Sequence, residues 1–454
     1  MKLIVSNKGA RIFLHPGKGK TATVLKAFSV LKKMDMVDCM LVLAPLRVIT
    51  TTWPAQLGLW EDFEHLRYTT IHGGSLGRET AMRDDVDVYL MNVEGLLTKE
   101  WRLGPKTRGY PCNPAVLRFL AGRRVMLVVD ESTKFKNQNS QRYKVLKKYI
   151  PYFSRIVIMT GTPKPNKLED VFAQCYLTDM GEDLGKYVTH FRMEYMTRDF
   201  NGNWTPQTTA LERIAAKIAP TTLQLEDDEA IPTSEVDIWL PMPPEIKANY
   251  EELRKQFITS LNGRTIVAVN SAVLLGKLQQ LVQGAIVDPF DNTKWVEGHG
   301  AKLDALESLL AELDGDPAFC LYNYRHDFAR INQRLGYEVP RIGGGISNAQ
   351  GAAFCMSFAA GDIPLLLGQP KSAAFGVDGL QQSCGNVIWF AQSWSWEENY
   401  QANRRVARMG STRDQVFIYR IMVDCSVEHA IKQSVTGKRL SEEEFCSLLR
   451  EYMA

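Results

Sequence analysis

The sequence predicts an α/β protein built on parallel β-sheet flanked by helices. Three observations predict it. Short, continuous apolar runs such as residues 40–44 and 124–129 read as strands covered on both faces. A strand, a glycine-rich turn and a helix follow one another over residues 10–30. Two acids, Asp130 and Glu131, stand where one apolar run ends, at the carboxyl edge where such sheets bind ligands. With 454 residues, 45% of them apolar, the chain is long enough for two or three domains with cores of their own.

Residues 10–14 form the first expected strand, the run HPGKGKT occupies 15–21, and residues 22–30 continue as a helix. Gly17 and Gly19 permit a tight turn whose amides point inward, and the helix N-terminus favours phosphate. Lys20 reaches β and γ phosphates, and the Thr21 hydroxyl is a magnesium ligand. The full GxxxxGK[ST] spacing is not met, because Leu14 stands where the first glycine belongs. The plainer alternative is a surface turn rich in glycine and lysine.

Further strands are expected at 40–44, 87–91, 124–129 and 155–159. Asp130 is placed to hold magnesium through water, and Glu131 to orient or deprotonate an attacking water. The strand at 155–159 ends in Thr160-Gly161-Thr162-Pro163. That turn suits a γ-phosphate sensor, although taken alone it reads as an ordinary strand-to-loop turn. Near the end of the chain, 387–391 reads as a strand and 397–407 as a helix. There Gln401, Arg405 and Arg408 share one face by their spacing. Guanidinium groups stabilise charge on a transferring phosphoryl group; the alternative is an exposed basic helix face.

The formal net charge is +3 and 23% of residues are charged, an ordinary soluble composition. No secretory signal and no run of eighteen apolar residues is evident. The eight cysteines include no CxxC pair, so neither a zinc module nor a disulfide framework is expected, and the setting is read as intracellular and reducing.

These motifs resemble those of SNF2-type, superfamily 2 helicase-like ATPases, above all the compact phage members. LAPLRVITTTWPAQ (43–56), MNVEGL (91–96), DESTKFKN (130–137) and TGTPKPNKLEDVFAQCYLTD (160–179) carry the resemblance in the first half. KLQQLVQGAIV (277–287), AKLDALESLLAEL (301–313), FCLYNYRHDFARI (319–331), QPKSAAFGVDGLQ (369–381) and NVIWFAQSWSWEENYQANRRVARMG (386–410) carry it in the second. The resemblance implies two RecA-like lobes with small helical insertions. Residues 1–180 would form the ATP-binding lobe, 181–243 a linker or subdomain, 244–298 a helical protrusion and 299–454 the second lobe.

It also implies ATP and magnesium bound between the lobes, with Arg405 and Arg408 as fingers and Gln401 beside them. Thr160, Thr162, Gly376 and Gly379 would couple nucleotide state to DNA. The expected partner is double-stranded DNA, tracked without strand separation by a monomeric motor in a bacterial cytoplasm, with a protein partner supplying task specificity and no membrane involved. Three departures stand out. Gly410 is followed by Ser411 rather than glutamine, His15-Pro16 precedes the phosphate loop, and almost no chain lies upstream of that loop to contact adenine. Rival functions are a strand-separating helicase, a non-catalytic nucleotide-switched DNA-binding protein and a small P-loop kinase. The intact Lys20, Asp130, Glu131 and arginine pair oppose the second, and the long second lobe opposes the third.

Between the lobes, asparagine, glycine, proline and the acids from 226 to 229 mark turns and a boundary, with short strands at 223–225 and 236–240. Residues 247–281 read as mainly helical and 341–350 as a loop.

From residue 99 to 148 the chain holds thirteen Lys and Arg against three acids, a local charge of +10. Phosphate contacts from such a tract position a protein without reading bases; the alternative is a solvated face. Replacing Lys99, Arg102, Lys106 and Arg108 with alanine is expected to weaken duplex binding equally for unrelated sequences. The slope of log affinity against log salt should also become shallower, since each neutralised phosphate contributes about 0.9 to it. Affinity and slope equal to the parent's would leave this tract a solvated face.

Overall fold

The computed structural model describes residues 1–15, 17–96, 113–163, 167–225, 231–261, 264–288, 290–373, 379–408 and 410–453. The chain divides into two compact units, Met1–Asp227 with Lys438–Ala454, and Asp228–Gly437.

In the first unit the strands are β1 (Gly9–Phe13), β2 (Cys39–Ala44), β3 (Tyr68–Ile71), β4 (Val88–Asn92), β5 (Val125–Asp130) and β6 (Arg155–Thr160). A small antiparallel hairpin, β7 (Met196–Arg198) with β8 (Trp204–Pro206), precedes β9 (Thr222–Gln224). The main sheet runs β3-β4-β2-β5-β6-β1-β9, and every neighbouring pair is parallel. Alternation along each strand sorts its side chains onto two faces. Ile12, Met40, Val42, Met126, Val128 and Met159 pack on one face with Val24, Phe28 and Leu31 of the helix Lys20–Lys33. Leu41, Leu43, Leu127, Val129 and Ile158 pack on the other with Val171 and Phe172 of the helix Leu168–Asp179. Burial on both faces explains why these strands read as unbroken apolar runs.

The second unit begins its sheet with β10 (Thr233–Leu240). Two antiparallel hairpins follow, β11 (Ile258–Leu261) with β12 (Arg264–Val267) and β13 (Ala285–Val287) with β14 (Trp295–Glu297). Then come β15 (Ala318–Leu321), β16 (Arg341–Ile342), β17 (Leu365–Gly368), β18 (Asn386–Trp389) and β19 (Val416–Val423). Its six-stranded sheet runs β10-β19-β18-β15-β17-β16, again parallel throughout. Two parallel sheets, each covered by helices, are the two RecA-like lobes.

Several segments differ from expectation. Residues 181–243 are not a separate linker: β9 completes the edge of the first sheet and β10 the edge of the second. The short strands expected at 223–225 and 236–240 are these two; the sequence does not show that each joins one of the main sheets. Residues 244–298 are not purely helical. The helices Pro244–Gln256 and Ser271–Gln283 enclose the β11–β12 hairpin, and β13–β14 follows. Ile246, Tyr250, Leu278 and Leu281 give this part its own apolar cluster, shared with Val423 and Ile431. The glycines at 343–345 do sit in a turn, but β16 precedes them and a helix, Asn348–Ala360, capped by the Ser347 side chain, follows. Residues from Lys438 onward belong to the first unit, which shortens the expected second lobe. The seven described cysteines are free and buried.

One buried charge ties β1 to the helix Leu168–Asp179. Arg11 is fully buried and pairs with Asp179 and, at 2.8 Å, Asp183. Burial raises the Asp179 pKa to about 6, partly offset by Arg11. Breaking one side of such a pair strands the other charge, at a cost of about 3–5 kcal/mol. Arg11→Met is therefore expected to destabilise the first unit by roughly that amount in urea unfolding. A variant as stable as the parent would show the cluster to be dispensable.

Candidate functional site

Parallel pairing fixes where the strands of the first sheet end. Phe13 of β1 pairs with Thr160 of β6, and Asp130 of β5 pairs with Met159. Three adjacent strands therefore finish level with one another. The residues that follow them, 14–21, 130–133 and 160–163, share one carboxyl edge.

After β1 the chain turns through Gly17 (φ +87°) and Gly19 (φ +68°). No atom lies within 4 Å of where a Cβ would stand on either, so left-handed backbone rather than crowding calls for glycine here. Gly19 caps the helix Lys20–Lys33, its carbonyl accepting from the Thr23 amide at 2.9 Å. The first amides of that helix have no carbonyl of their own helix to meet, and they carry the positive end of its dipole. Lys20 folds back over the turn, its Nζ donating to the carbonyls of Leu14 (2.8 Å) and His15 (3.1 Å). Thr21, in the first turn, is half-buried.

Asp130 ends β5 nearly buried. Its Oδ2 accepts from the indole Nε1 of Trp53 at 2.9 Å and its Oδ1 from the Glu131 amide at 3.0 Å, which sets the plane of the carboxylate. Trp53 is fully buried. Glu131 adopts left-handed backbone (φ 56°, ψ 59°), a conformation strained for any residue but glycine and held by its surroundings. A short turn, Ser132–Phe135, follows, closed by the Lys134 amide donating to the Glu131 carbonyl at 3.0 Å. Beyond β6 the Thr162 amide donates to Thr160 Oγ1 at 3.1 Å. The Thr162 hydroxyl is buried and meets no hydrogen-bond partner among the described residues.

The donor set fits a polyphosphate with a hard divalent cation. Magnesium is ordinarily held by one or two carboxylates together with substrate phosphates, rather than by an all-protein cage. Asp130 and Thr21 are residues of the types that make that kind of contact, and a lysine beside helix amides, as at Lys20, is of the type that holds anions. Among the described residues no three His, Cys, Asp or Glu side chains converge on one point.

In the second unit the expected helix of 397–407 stops early, spanning Trp396–Asn403. Arg405 and Arg408 lie in the turns beyond it. There the Arg405 amide donates to Ala402 and the Arg408 amide to Val406, both three-residue or shorter spans. They do not share a helical face with Gln401, which is buried. The last helical residue, Asn403, accepts from the Trp389 indole through its Oδ1 at 2.9 Å. Arg408 donates to Gln381 Oε1 at 3.1 Å, and burial lowers its pKa from the ordinary guanidinium value. Gly379 (φ +90°) opens the short turn Leu380–Gln382. Gly376 lies outside the described residues, as do Lys99, Arg102, Lys106 and Arg108. In the remainder of the basic tract Arg118, Arg124, Lys144 and Lys148 are exposed, and several members have local partners. Lys147 sits over the Tyr176 ring at 3.9 Å, and Arg124 is paired with Asp35 and Asp38 at the opposite end of β5.

Sequence reasoning missed Trp53, Ser132 and Gln174. None titrates at ordinary pH, so none stands out by its chemistry, although all three fall within or beside the motif segments. Their roles emerge only from what they touch.

Residues 6–276 match the SNF2-related domain family. Protein p41 of Acyrthosiphon pisum secondary endosymbiont phage 1 is 28% identical over 459 aligned positions, covering 96% of this chain and 94% of that protein. The CHD3-type chromatin-remodeling factor CHR7 of Arabidopsis thaliana is 23% identical over 70% of this chain, which spans about a quarter (26%) of that much longer protein. Among solved structures, the Sulfolobus solfataricus SWI2/SNF2 ATPase core in complex with dsDNA is 23% identical, with 97% of this chain and 89% of that one covered at a TM-score of 0.40.

Trp53→Phe removes the indole N–H from Asp130. A hydrogen bond to a charged group contributes about 1.5–3 kcal/mol, so unfolding of the first unit should weaken by about that much. The control is Trp60→Phe, whose exposed indole makes only a 3.4 Å contact with Gln56 and whose loss should hardly register. Equal effects of the two substitutions would contradict a special bond at Trp53.

Proposed function

This chain belongs to the SNF2-related family and is an ATPase of that type, and on this premise we propose that it hydrolyses ATP to move along double-stranded DNA without separating the strands. The observation that carries the proposal is the levelling of β1, β5 and β6, which gathers the phosphate turn, the two acids and the threonine turn on one sheet edge.

In this reading Gly17, Gly19 and Lys20 cradle the phosphates, and Thr21 and Asp130 hold magnesium, Asp130 through water. When bound, the metal would neutralise phosphate charge. Glu131 accepts a proton from the attacking water as the water oxygen bonds to the γ phosphorus. The bond from that phosphorus to the β–γ bridging oxygen breaks, and ADP leaves with the bridging oxygen. Arg405 and Arg408 stabilise charge on the transferring group, with Gln401 supporting them. Thr160 and Thr162 respond to the presence of the γ phosphate, and Gly376 and Gly379 take part in relaying that state to DNA. Lys99, Arg102, Lys106 and Arg108 grip the DNA backbone. The motor acts as a single chain in a bacterial cytoplasm, and a protein partner supplies task specificity. No helix among the described residues is long and apolar enough to cross a membrane.

A second reading has one observation in its favour. The β7–β8 hairpin carries Phe200 fully exposed in its turn, the kind of aromatic tip that can wedge between bases. The two readings part on forked DNA: translocation alone displaces no strand, whereas a wedge does, and Phe200→Ala would abolish it.

Two substitutions test the chemistry. Glu131→Gln should keep ATP binding and lose most hydrolysis. Arg408→Ala should also bind ATP and lose turnover by roughly 10³-fold, the scale of arginine-finger losses. Parental turnover in the first would move the base elsewhere, and a rate within about twofold in the second would remove the finger role.

A further inference from the structure

Glu131 needs something to hold it. Its left-handed backbone is strained, and such strain persists only where neighbouring contacts over-determine it. The next residue supplies the anchor. Ser132 is fully buried and its Oγ donates to Gln174 Oε1 at 2.6 Å. Gln174, on the helix Leu168–Asp179, is also fully buried. Its Nε2 donates to the Pro163 carbonyl at 2.7 Å and to the Asp170 carbonyl, one turn back on its own helix, at 3.0 Å. One amide thus joins the turn after β5 to the turn after β6 through the helix behind both. Both Nε2 protons and the Oε1 acceptor are engaged, so the group is satisfied without water. A satisfied buried polar link of this kind is rigid, and its partial loss is costly.

We propose that Gln174 is a positioning residue for hydrolysis. Through Ser132 it holds the Glu131 turn in its catalytic conformation, and through Pro163 it makes that conformation depend on the Thr160–Pro163 turn. This rests on the reading of Glu131 as the base. Gln174 touches neither nucleotide nor water, and its effect passes through the two turns. A helix that merely packed against the sheet would need an apolar side chain here, as its neighbours Val171, Phe172 and Cys175 are.

The test uses the full chain with Ser132→Ala, Gln174→Met, the double variant and Glu131→Gln. Gln174→Met keeps length and apolar volume while removing all three bonds, and Ser132→Ala removes only a hydroxyl. Each single variant should lower kcat by roughly tenfold to a hundredfold, the range expected when a catalytic group is displaced by about an ångström. Affinity for a fluorescent ADP analogue and the KM for ATP should stay within about twofold of the parent, because the phosphate turn is untouched. The double variant should be no slower than the worse single one, since Ser132 acts only through the hydrogen bond that Gln174→Met already removes. Additive losses, or parental kcat in Ser132→Ala, would overturn the proposal. So would losses that appear only as lower melting temperature. If Gln174→Met fails to fold, Ser132→Ala with Glu131→Gln still decides. A slow Glu131→Gln beside a parental Ser132→Ala sinks the Gln174 role alone, whereas a parental Glu131→Gln sinks the base assignment beneath it.

Discussion

The site depends on the register of three parallel strands. Parallel pairing offers evenly spaced bonds along each ladder, and a shift of one residue turns every side chain to the opposite face. In the first sheet that penalty is severe, because both faces are packed: Met126 and Val128 face one helical layer, Leu127 and Val129 the other. The apolar alternation of β5 therefore fixes where Asp130 emerges, and the same constraint on β1 and β6 fixes the phosphate turn and Thr160 beside it. The chemistry-bearing residues are short-range passengers on a register determined by the core.

Polar contacts then refine what register places. Trp53 reaches from the layer behind the sheet to one Asp130 oxygen, and the amide of Glu131 takes the other. Gln174 does the corresponding work for the turn that follows, and Arg11 secures the far end of the same helix through Asp179 and Asp183. These groups lie where water is scarce, so each bond matters more and each unpaired atom costs more than at the surface. The helix Leu168–Asp179 accordingly has two polar attachments, one at β1 and one at the turns after β5 and β6.

Five strands of the first sheet, β1, β2, β4, β5 and β6, were legible in the sequence to within about a residue, because doubly covered parallel strands leave an unmistakable apolar run. The placement of Lys20, Asp130 and Glu131 at the carboxyl edge of that sheet was legible because a lysine after a glycine turn and acids at a strand end stand out. β3 was not legible, since Tyr68–Ile71 is a partly exposed edge strand with two threonines and no unbroken apolar run. The short strands expected at 223–225 and 236–240 are β9 and β10, though their places in the two sheets were not legible. The helix end at Asn403 was also missed. A period of 3.6 can be laid over 397–407, but the periodicity does not record where a series of tight turns replaces the helix. Trp53 and Gln174 lay in plain view within motif segments, yet a neutral side chain reveals a role only through its partner, and the partner is distant in sequence.

In the function proposed above, duplex DNA drives this ATPase. The most direct measurement is the steady-state ATPase rate of the full chain with no nucleic acid, with single-stranded DNA, with blunt duplex DNA and with RNA, at one salt concentration. The account predicts strong stimulation by the duplex, well above that by either single-stranded DNA or RNA, with no strand displaced. A rate indifferent to all four conditions, or one stimulated mainly by a single strand, would contradict it.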